Sequence, residues 1–550
     1  MLPDAIKLTL LILAALGVYL IGNQRTQLFD RDEPRYAQCS RQMLQSGDWV
    51  VPRLYDGIRA AKGPAIYWCQ ATCMKVLGDN AGAARLPSAI AMTLVLILTG
   101  WAAWKVAGSR RALWTVFVLC SSGLVVFWSA KVCLTDAVLL LCILSAQICI
   151  YLIWINLHSW LAAIGLGIAI GAGALIKGPF ILGVLALAVV ALIALTFIKR
   201  KSCEATEPGA VSRWVTQILI AIAVIAVVVG PWALLVHHRE PRFLEASRED
   251  ALKHLETGAE GHGGFPGWHL LVIWGTYLPW SVLLPLTIIS AFKRRSDPAI
   301  RYALATLLGS WIFAEILQTK LPHYMLPAFP ALAFLTADAI CRCLDGEYGD
   351  LHSPIFRAAT ALVALIIIAG AVVPWWWLAR AFKFDPKFAL STIAIAGIMF
   401  GLLIAGSFIL RRPRLGLISM GLSMMTLSAL LYGLYFPIEE PLRVSTRVAK
   451  ILIDNDVVHP HEVEMRGYLE PSLAFCQGGT IREALYPMQP LGKIQPATPW
   501  MVITRELWDE STPEIRSEFE IISQGIEGVN YSDKLHRVEV LVVKRIDATK

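Results

Sequence analysis

The run Phe29-Asp30-Arg31-Asp32-Glu33-Pro34-Arg35-Tyr36 places three carboxylates and two guanidinium groups within eight residues, directly after the first apolar segment of the chain. Charge this dense beside a bilayer is too costly to face lipid, so the loop is expected to line an aqueous or protein cavity. A carboxylate held there can take a proton. An arginine can hold a phosphate through its planar fork, and a lysine can do so as a point charge. Further candidates lie along the chain at Lys62, Asp136, Lys177, His262 and the run Lys320-Leu321-Pro322-His323-Tyr324. Each has a plain structural explanation when taken alone. A lysine at a helix end commonly snorkels to water, and Asp136, in Leu134-Thr135-Asp136-Ala137, stands where a helix would be capped.

The elements that position these residues follow from composition. Hydrophobic residues make up 56% of the 550, charged residues only 16%, and the mean hydropathy is +0.58, which excludes a soluble globule for most of the chain. Apolar runs of roughly 18 to 25 residues recur throughout, each long enough to cross about 30 Å of hydrocarbon. Backbone hydrogen bonding in lipid makes them helices. The runs fall at about 5–22, 85–107, 112–130, 133–156, 159–176, 178–198, 214–236, 268–292, 300–319, 322–340, 357–379, 387–410 and 414–435, which predicts about thirteen spans. The first has no small-residue cleavage site after it and is read as a retained helix. The shorter stretch Pro64 to Gly78, with Tyr67, Trp68, Gln70 and Lys75, is expected to lie along the membrane surface.

Basic residues set the expected orientation. The short connections after even-numbered spans carry Lys105, Arg110, Arg111, Lys199, Arg200, Lys201, Arg213, Lys293, Arg294, Arg295, Arg301, Arg342, Arg357, Arg411, Arg412 and Arg414. The opposite ones carry Lys131, Lys177, Lys320, Arg380, Lys383 and Lys387. The bias predicts a cytoplasmic N-terminus and places the charged first loop, about residues 23–83, and a second loop, 237–267, outside. All the candidates named above then converge on the outer face. The first loop carries eight basic residues against the rule, which a need to bind phosphate would explain.

After residue 436 the chain turns charged. The runs Trp500–Thr504 and Val538–Val543, with the amphipathic stretch Ser445–Asn455, predict a small α/β domain over 437–550, outside the membrane, beside a transmembrane domain over 1–436. The eleven cysteines show no metal spacing, and Cys69 and Cys73, one helical turn apart, are read as small residues on the surface helix.

Asp32-Glu33-Pro34-Arg35-Tyr36-Ala37, Ser46-Gly47-Asp48-Trp49-Val50-Val51-Pro52, Lys62-Gly63-Pro64 with Tyr67-Trp68, and Arg85-Leu86-Pro87-Ser88 resemble the first outer loop of bacterial lipid A 4-amino-4-deoxy-L-arabinose transferases. With protein O-mannosyltransferases these form the GT-C superfamily of polyprenyl-phosphate-sugar glycosyltransferases. The likeness continues through Leu134–Ala137, Ile176-Lys177-Gly178-Pro179 and Lys320–Pro330, over roughly residues 1–340. It implies a GT-C fold, Asp32 as the essential carboxylate and Asp136 as a second one in the same cavity. It also implies that Arg35 and Lys62 contact the donor phosphate and that Tyr324 lies by the lipid carrier. Glu33, Tyr36, Tyr67, Lys177, His262 and His323 complete the cavity candidates. The family commonly reads Glu-Lys-Pro-Pro where this chain has Ala61-Lys62-Gly63-Pro64, so a possible metal-binding Glu is missing. No metal or other cofactor is therefore expected.

A sugar on a polyprenyl phosphate departs with an already stable phosphate anion, so the site needs cations more than a general acid. The implied partners are the polyprenyl-linked (undecaprenyl) donor, lipid A or another envelope acceptor, and the bilayer of the inner membrane; nucleic acid is not among them. A protein O-glycosyltransferase using the same donor class is the alternative. A secondary transporter fits less well, since matched halves with broken helices are not visible.

Overall fold

The computed structural model describes residues 2–546, apart from 30–31, 56, 156–158, 198–209, 257–262, 348–350, 352, 383–386, 439, 460–461, 480, 484–487, 492–497 and 532–534. The apolar runs are helical. In order they begin with α1 (Asp4–Leu20), followed by three elements that shape one end of the bundle: α2 (Asp32–Ser46), a short antiparallel ladder β1 (Arg53–Leu54) with β2 (Gly57–Ile58), and α3 (Ala65–Leu77). The bundle continues with α4 (Ala81–Ala107), α5 (Ser109–Cys120), α6 (Asp136–Ile155), α7 (Trp160–Lys177), α8 (Phe180–Phe197), α9 (Ala210–Arg239) and the amphipathic α10 (Arg242–Glu256). It closes with α11 (Trp268–Thr276), α12 (Leu284–Lys293), α13 (Pro298–Ile316), α14 (Phe329–Leu344), α15 (Pro354–Phe382), α16 (Lys387–Ile409) and α17 (Pro413–Leu430).

Ten helices among the described residues are long and apolar enough to cross a membrane. The other three expected spans are helical but irregular. The first, α1, is 17 residues long, and α5 gives way to a turn before a π-helical segment at Val125–Ser129. The run at 268–293 bends by 120° between its two halves, so it is a broken span or a re-entrant loop. Helices pack closely where side chains vanish. A Cβ on Gly309 of α13 would lie 2.3 Å from the backbone nitrogen of Ala188 on α8, so that pair meets backbone to backbone.

The two ends of the bundle differ in chemistry. At the N-terminal end of α1, Ser109 donates to Asp4 at 2.6 Å, Arg111 and Arg294 share the buried Asp338 at 2.8 and 2.7 Å, and Arg110 pairs with Asp345 at 2.7 Å. These are the cationic turns that the sequence assigns to one face. The first loop and the C-terminal region occupy the opposite end. As expected for a surface helix, α3 buries Ile66, Tyr67, Gln70, Ala71 and Met74 and leaves Val76 and Leu77 exposed. Gln70 ties it down, accepting from Ser40 of α2 at 2.7 Å and donating to the Cys133 carbonyl at 2.9 Å. Cys69 and Cys73 are free thiols.

The C-terminal region is a mixed sheet in the order β4-β3-β5-β8-β6, formed by β3 (Val463–Arg466), β4 (Ile481–Glu483), β5 (Trp500–Thr504), β6 (Phe519–Ile521) and β8 (His536–Arg545), with β7 (Ile526–Asn530) also on β8. Strand β3 runs parallel to β4 and β5, and β8 runs antiparallel to β5. The period of two in the sequence separates its faces. Trp500, Val502, Val540 and Val542 pack on Val444, Val448 and Leu452 of α18 (Val444–Asp454), while Met501, Ile503, Leu541 and Val543 pack on Trp508 and Phe519. The sheet is seated on the first loop. Arg41 of α2 donates to the Phe475 carbonyl at 2.6 Å, lies 3.9 Å from that ring's centre and pairs with Asp79 at 2.6 Å.

Candidate active site

The N-terminus of α6 presents Asp136, the C-terminus of α7 presents Lys177, and the 3-10 turn ahead of α14 presents His323 and Tyr324. The structure brings these four together. Lys177 Nζ lies 3.6 Å from Asp136 and over the rings of Phe180 and Tyr324, at 4.8 and 4.6 Å from their centres. His323 Nε2 is 3.9 Å from the other Asp136 oxygen and packs edge-on against Tyr324. An ammonium held between a carboxylate and two aromatic faces is fixed in place.

Lys62 joins from the first loop, and its route explains the residue that follows it. Gly63 donates its N–H to the Ile176 carbonyl at 3.2 Å, and a Cβ there would lie 2.1 Å from the Leu175 carbonyl oxygen. Only glycine lets the loop touch the end of α7, one residue from Lys177. Lys62 Nζ donates to its neighbour's carbonyl at 2.8 Å and stands 3.7 Å from Asp250 of α10. Burial pushes its pKa down to about 8; Lys177 and Arg59 add to that push, and Asp250 and Asp32 oppose it.

Asp32 opens α2, where the helix dipole favours negative charge, and is half-exposed, 3.6 Å from Arg35. It is thus reachable by a substrate. Glu33 is not. Its carboxylate is buried in a double contact with Arg85 at 2.6 and 2.8 Å and accepts from the backbone N–H groups of Phe29 and Cys133 at 2.6 and 3.0 Å. Arg85 also donates to the carbonyls of Asn23, Thr26 and Gln27. The expectation that Glu33 lines the cavity is corrected: a fully paired internal charge folds the loop around it. Tyr36 and Tyr67 are also buried, stacked at 5.7 Å, and they hold Arg59, whose Nε donates to the Tyr67 hydroxyl at 3.1 Å and whose guanidinium lies 5.2 Å from the Tyr36 ring centre.

Arg59 and Asp250 were not singled out by sequence. Arg59 was one of eight basic loop residues, with only its place three residues before Lys62 to mark it, and Asp250 sits in an ordinary charged amphipathic helix. Lys320 does not join the group: it turns to Glu315 at 3.3 Å, which also accepts from the Gly267 and His269 N–H groups. His262 lies outside the described residues. Among the described residues no three His, Cys, Asp or Glu side chains converge as metal ligands.

Two cations held near two carboxylates at one end of a helical bundle suit the recognition of a charged phosphate and the polarisation of an acceptor. Residues 6–247 match the family of dolichyl-phosphate-mannose-protein mannosyltransferases. The chain is 29% identical over 380 residues to the undecaprenyl phosphate-alpha-4-amino-4-deoxy-L-arabinose arabinosyl transferase 1 of Pseudomonas fluorescens, an alignment covering 65% of this chain and 62% of that one. Its likeness to the corresponding protein of Yersinia enterocolitica is also 29%, over 69% of this chain and 68% of that one. The crystal structure of ArnT from Cupriavidus metallidurans bound to undecaprenyl phosphate superposes with a TM-score of 0.75 over 98% of both chains at 18% identity, and its apo form with 0.72 over 97%. The fold is that of a polytopic helical membrane protein with a charged site at one end of the bundle, and it is similar over nearly its whole length to that of the Cupriavidus metallidurans protein.

Proposed function

We propose that this protein moves a sugar from a polyprenyl phosphate to lipid A or a related envelope glycolipid, at the outer face of the inner membrane. The observation that carries the reading is the convergence of Lys62 and Lys177 with Asp136, in reach of Asp32, at the end of the bundle away from the cationic turns. Lys62, with Arg59 and Arg35, would hold the donor phosphate. The acceptor oxygen attacks the anomeric carbon, the bond from that carbon to the phosphate oxygen breaks, and the polyprenyl phosphate leaves with the electron pair. A hydroxyl acceptor gives its proton to Asp32. A phosphate acceptor has none to give, and Asp32 then orients the reacting groups. One displacement inverts the anomeric centre. Residues 1–436 would be the transferase domain and 437–550 a periplasmic cover. A second reading, transfer to protein hydroxyls, is favoured by the mannosyltransferase family match over residues 6–247.

Vesicles supplied with labelled undecaprenyl-phosphate sugar should yield a labelled glycolipid. A labelled protein instead would select the second reading, and uptake of free sugar without transfer would reject both. The pH dependence is directional. Lys62 is cationic below about 8 and loses its charge above it, so the donor KM should rise as pH climbs through that value. Lys62→Ala should show a raised KM already at neutral pH, by tenfold or more for a lost contact of about 1.5–3 kcal/mol. A flat parent profile, or an unchanged KM in the variant, would remove Lys62 from the phosphate site. Orientation has its own test: a cysteine placed after residue 436 should react with an impermeant reagent added from the periplasm, and protection there would reverse the topology.

A further inference from the structure

A recess of about 570 Å³ lies between the first loop and the start of the C-terminal region, walled there by Pro437, Ile438, Arg443, Thr446, Phe475 and Cys476. Its wall carries Arg25, Arg41 and Arg443 against one carboxylate, Asp79, which is already paired with Arg41 at 2.6 Å. Arg443 donates one N–H to the Pro437 carbonyl at 2.7 Å, while its buried Nε has no partner among the described residues. Gln27, also in the wall, is 5% exposed; its Oε1 accepts from Thr446, and its Nε2 has no partner among the described residues. Buried donors without acceptors are costly unless something fills the space beside them. Arg25 and Arg443, beside the Asp79-paired Arg41, together with the buried Gln27 amide donor suit an oxyanion with several acceptor oxygens.

The depth of the recess selects the source of that oxyanion. Helix α1 ends at Leu20 and the last span ends in a π-helical turn at Leu431–Tyr435, so residues 24–28 and 437–443 are the first beyond two membrane segments. That is the level of lipid headgroups. Leu28, Ile438 and Phe475 supply an apolar wall beside the cations, and Ile438 is 52% exposed. We infer that this recess binds the phosphate of an anionic lipid headgroup, at a site separate from the candidate active site and independent of which sugar is transferred. The two sites share a wall: the carbonyls of Thr26 and Gln27 are held by Arg85, which holds Glu33 next to Asp32.

The test uses the full chain, purified and analysed by native mass spectrometry with phosphatidic acid as the probe. One tightly retained phosphatidic acid per chain is expected, with affinity reduced at least about tenfold in the Arg25→Gln, Arg443→Gln double variant and unchanged in Lys62→Ala. An intact melting temperature in the double variant shows that the fold survives. Displacement by millimolar inorganic phosphate as effective as by the lipid would overturn the headgroup assignment. Equal retention by parent and double variant, with the fold intact, would overturn the site. A loss of retention in Lys62→Ala as large as in the double variant would show that the lipid occupies the active site instead.

Discussion

Asp32→Asn is expected to be expressed, inserted and folded, yet to turn over at least about a hundredfold more slowly than the parent. Asparagine keeps the size of the side chain and can still cap a helix, and Asp32 is half-exposed, its ion pair to Arg35 spanning 3.6 Å. The structure therefore asks little of its charge, and stability should change by no more than a cap is worth, about 1 kcal/mol. The proposed chemistry asks for all of it, whether as a base for a hydroxyl or as an anion that orients the acceptor. Single-turnover transfer with donor saturating is the decisive measurement. A rate within a few-fold of the parent would remove Asp32 from the reaction.

The opposite result is expected one residue along. Glu33→Gln keeps shape and removes the charge that neutralises Arg85, and both side chains are only 1% exposed. Breaking a buried ion pair from one side costs about 3–5 kcal/mol, because the surviving ion is left in a medium that cannot solvate it. Low yield and a depressed melting temperature should precede any change in rate per folded molecule. Losing activity at these two neighbours thus means two different things, and only thermal unfolding measured beside turnover separates them. A Glu33→Gln protein that melts with the parent but fails to transfer would return Glu33 to the cavity.

These neighbours also show what the sequence could and could not reveal. Length and apolar composition made the helices legible because lipid permits one backbone solution, and near-continuous apolar runs made β5 and β8 legible because a sheet of this kind packs on both faces. The convergence of Asp136, Lys177, His323 and Tyr324 was legible from topology, since span ends alternate between faces. Which of two adjacent carboxylates turns inward was not, because the answer depends on Arg85, 52 residues further on. Lys320 misled for the same reason: a residue at the right depth can still turn to a local partner, Glu315. Tyr36 and Tyr67 were picked out, but the cation they hold was not, because the Arg59 contact joins two separate elements. The bend at 276–280 was also hidden, since hydropathy reports a run's length and not its straightness.

Under the proposed function, the contact of Gly63 with the end of α7 bears on how a lipid-linked donor would enter. Lys62 and Lys177 each adjoin one partner of a single backbone hydrogen bond, Gly63 N–H to the Ile176 carbonyl. The two ammonium groups are therefore hinged to one rigid point and behave as a fixed anvil. Asp250 reaches Lys62 from α10, a separate element, across 3.7 Å. In the proposed reaction an arriving phosphate would compete with that carboxylate for the same cation, and the donor would enter by displacing α10 rather than the two lysines. Asp250 would then serve as an exchangeable counter-ion, holding the place on Lys62 that the donor phosphate takes over.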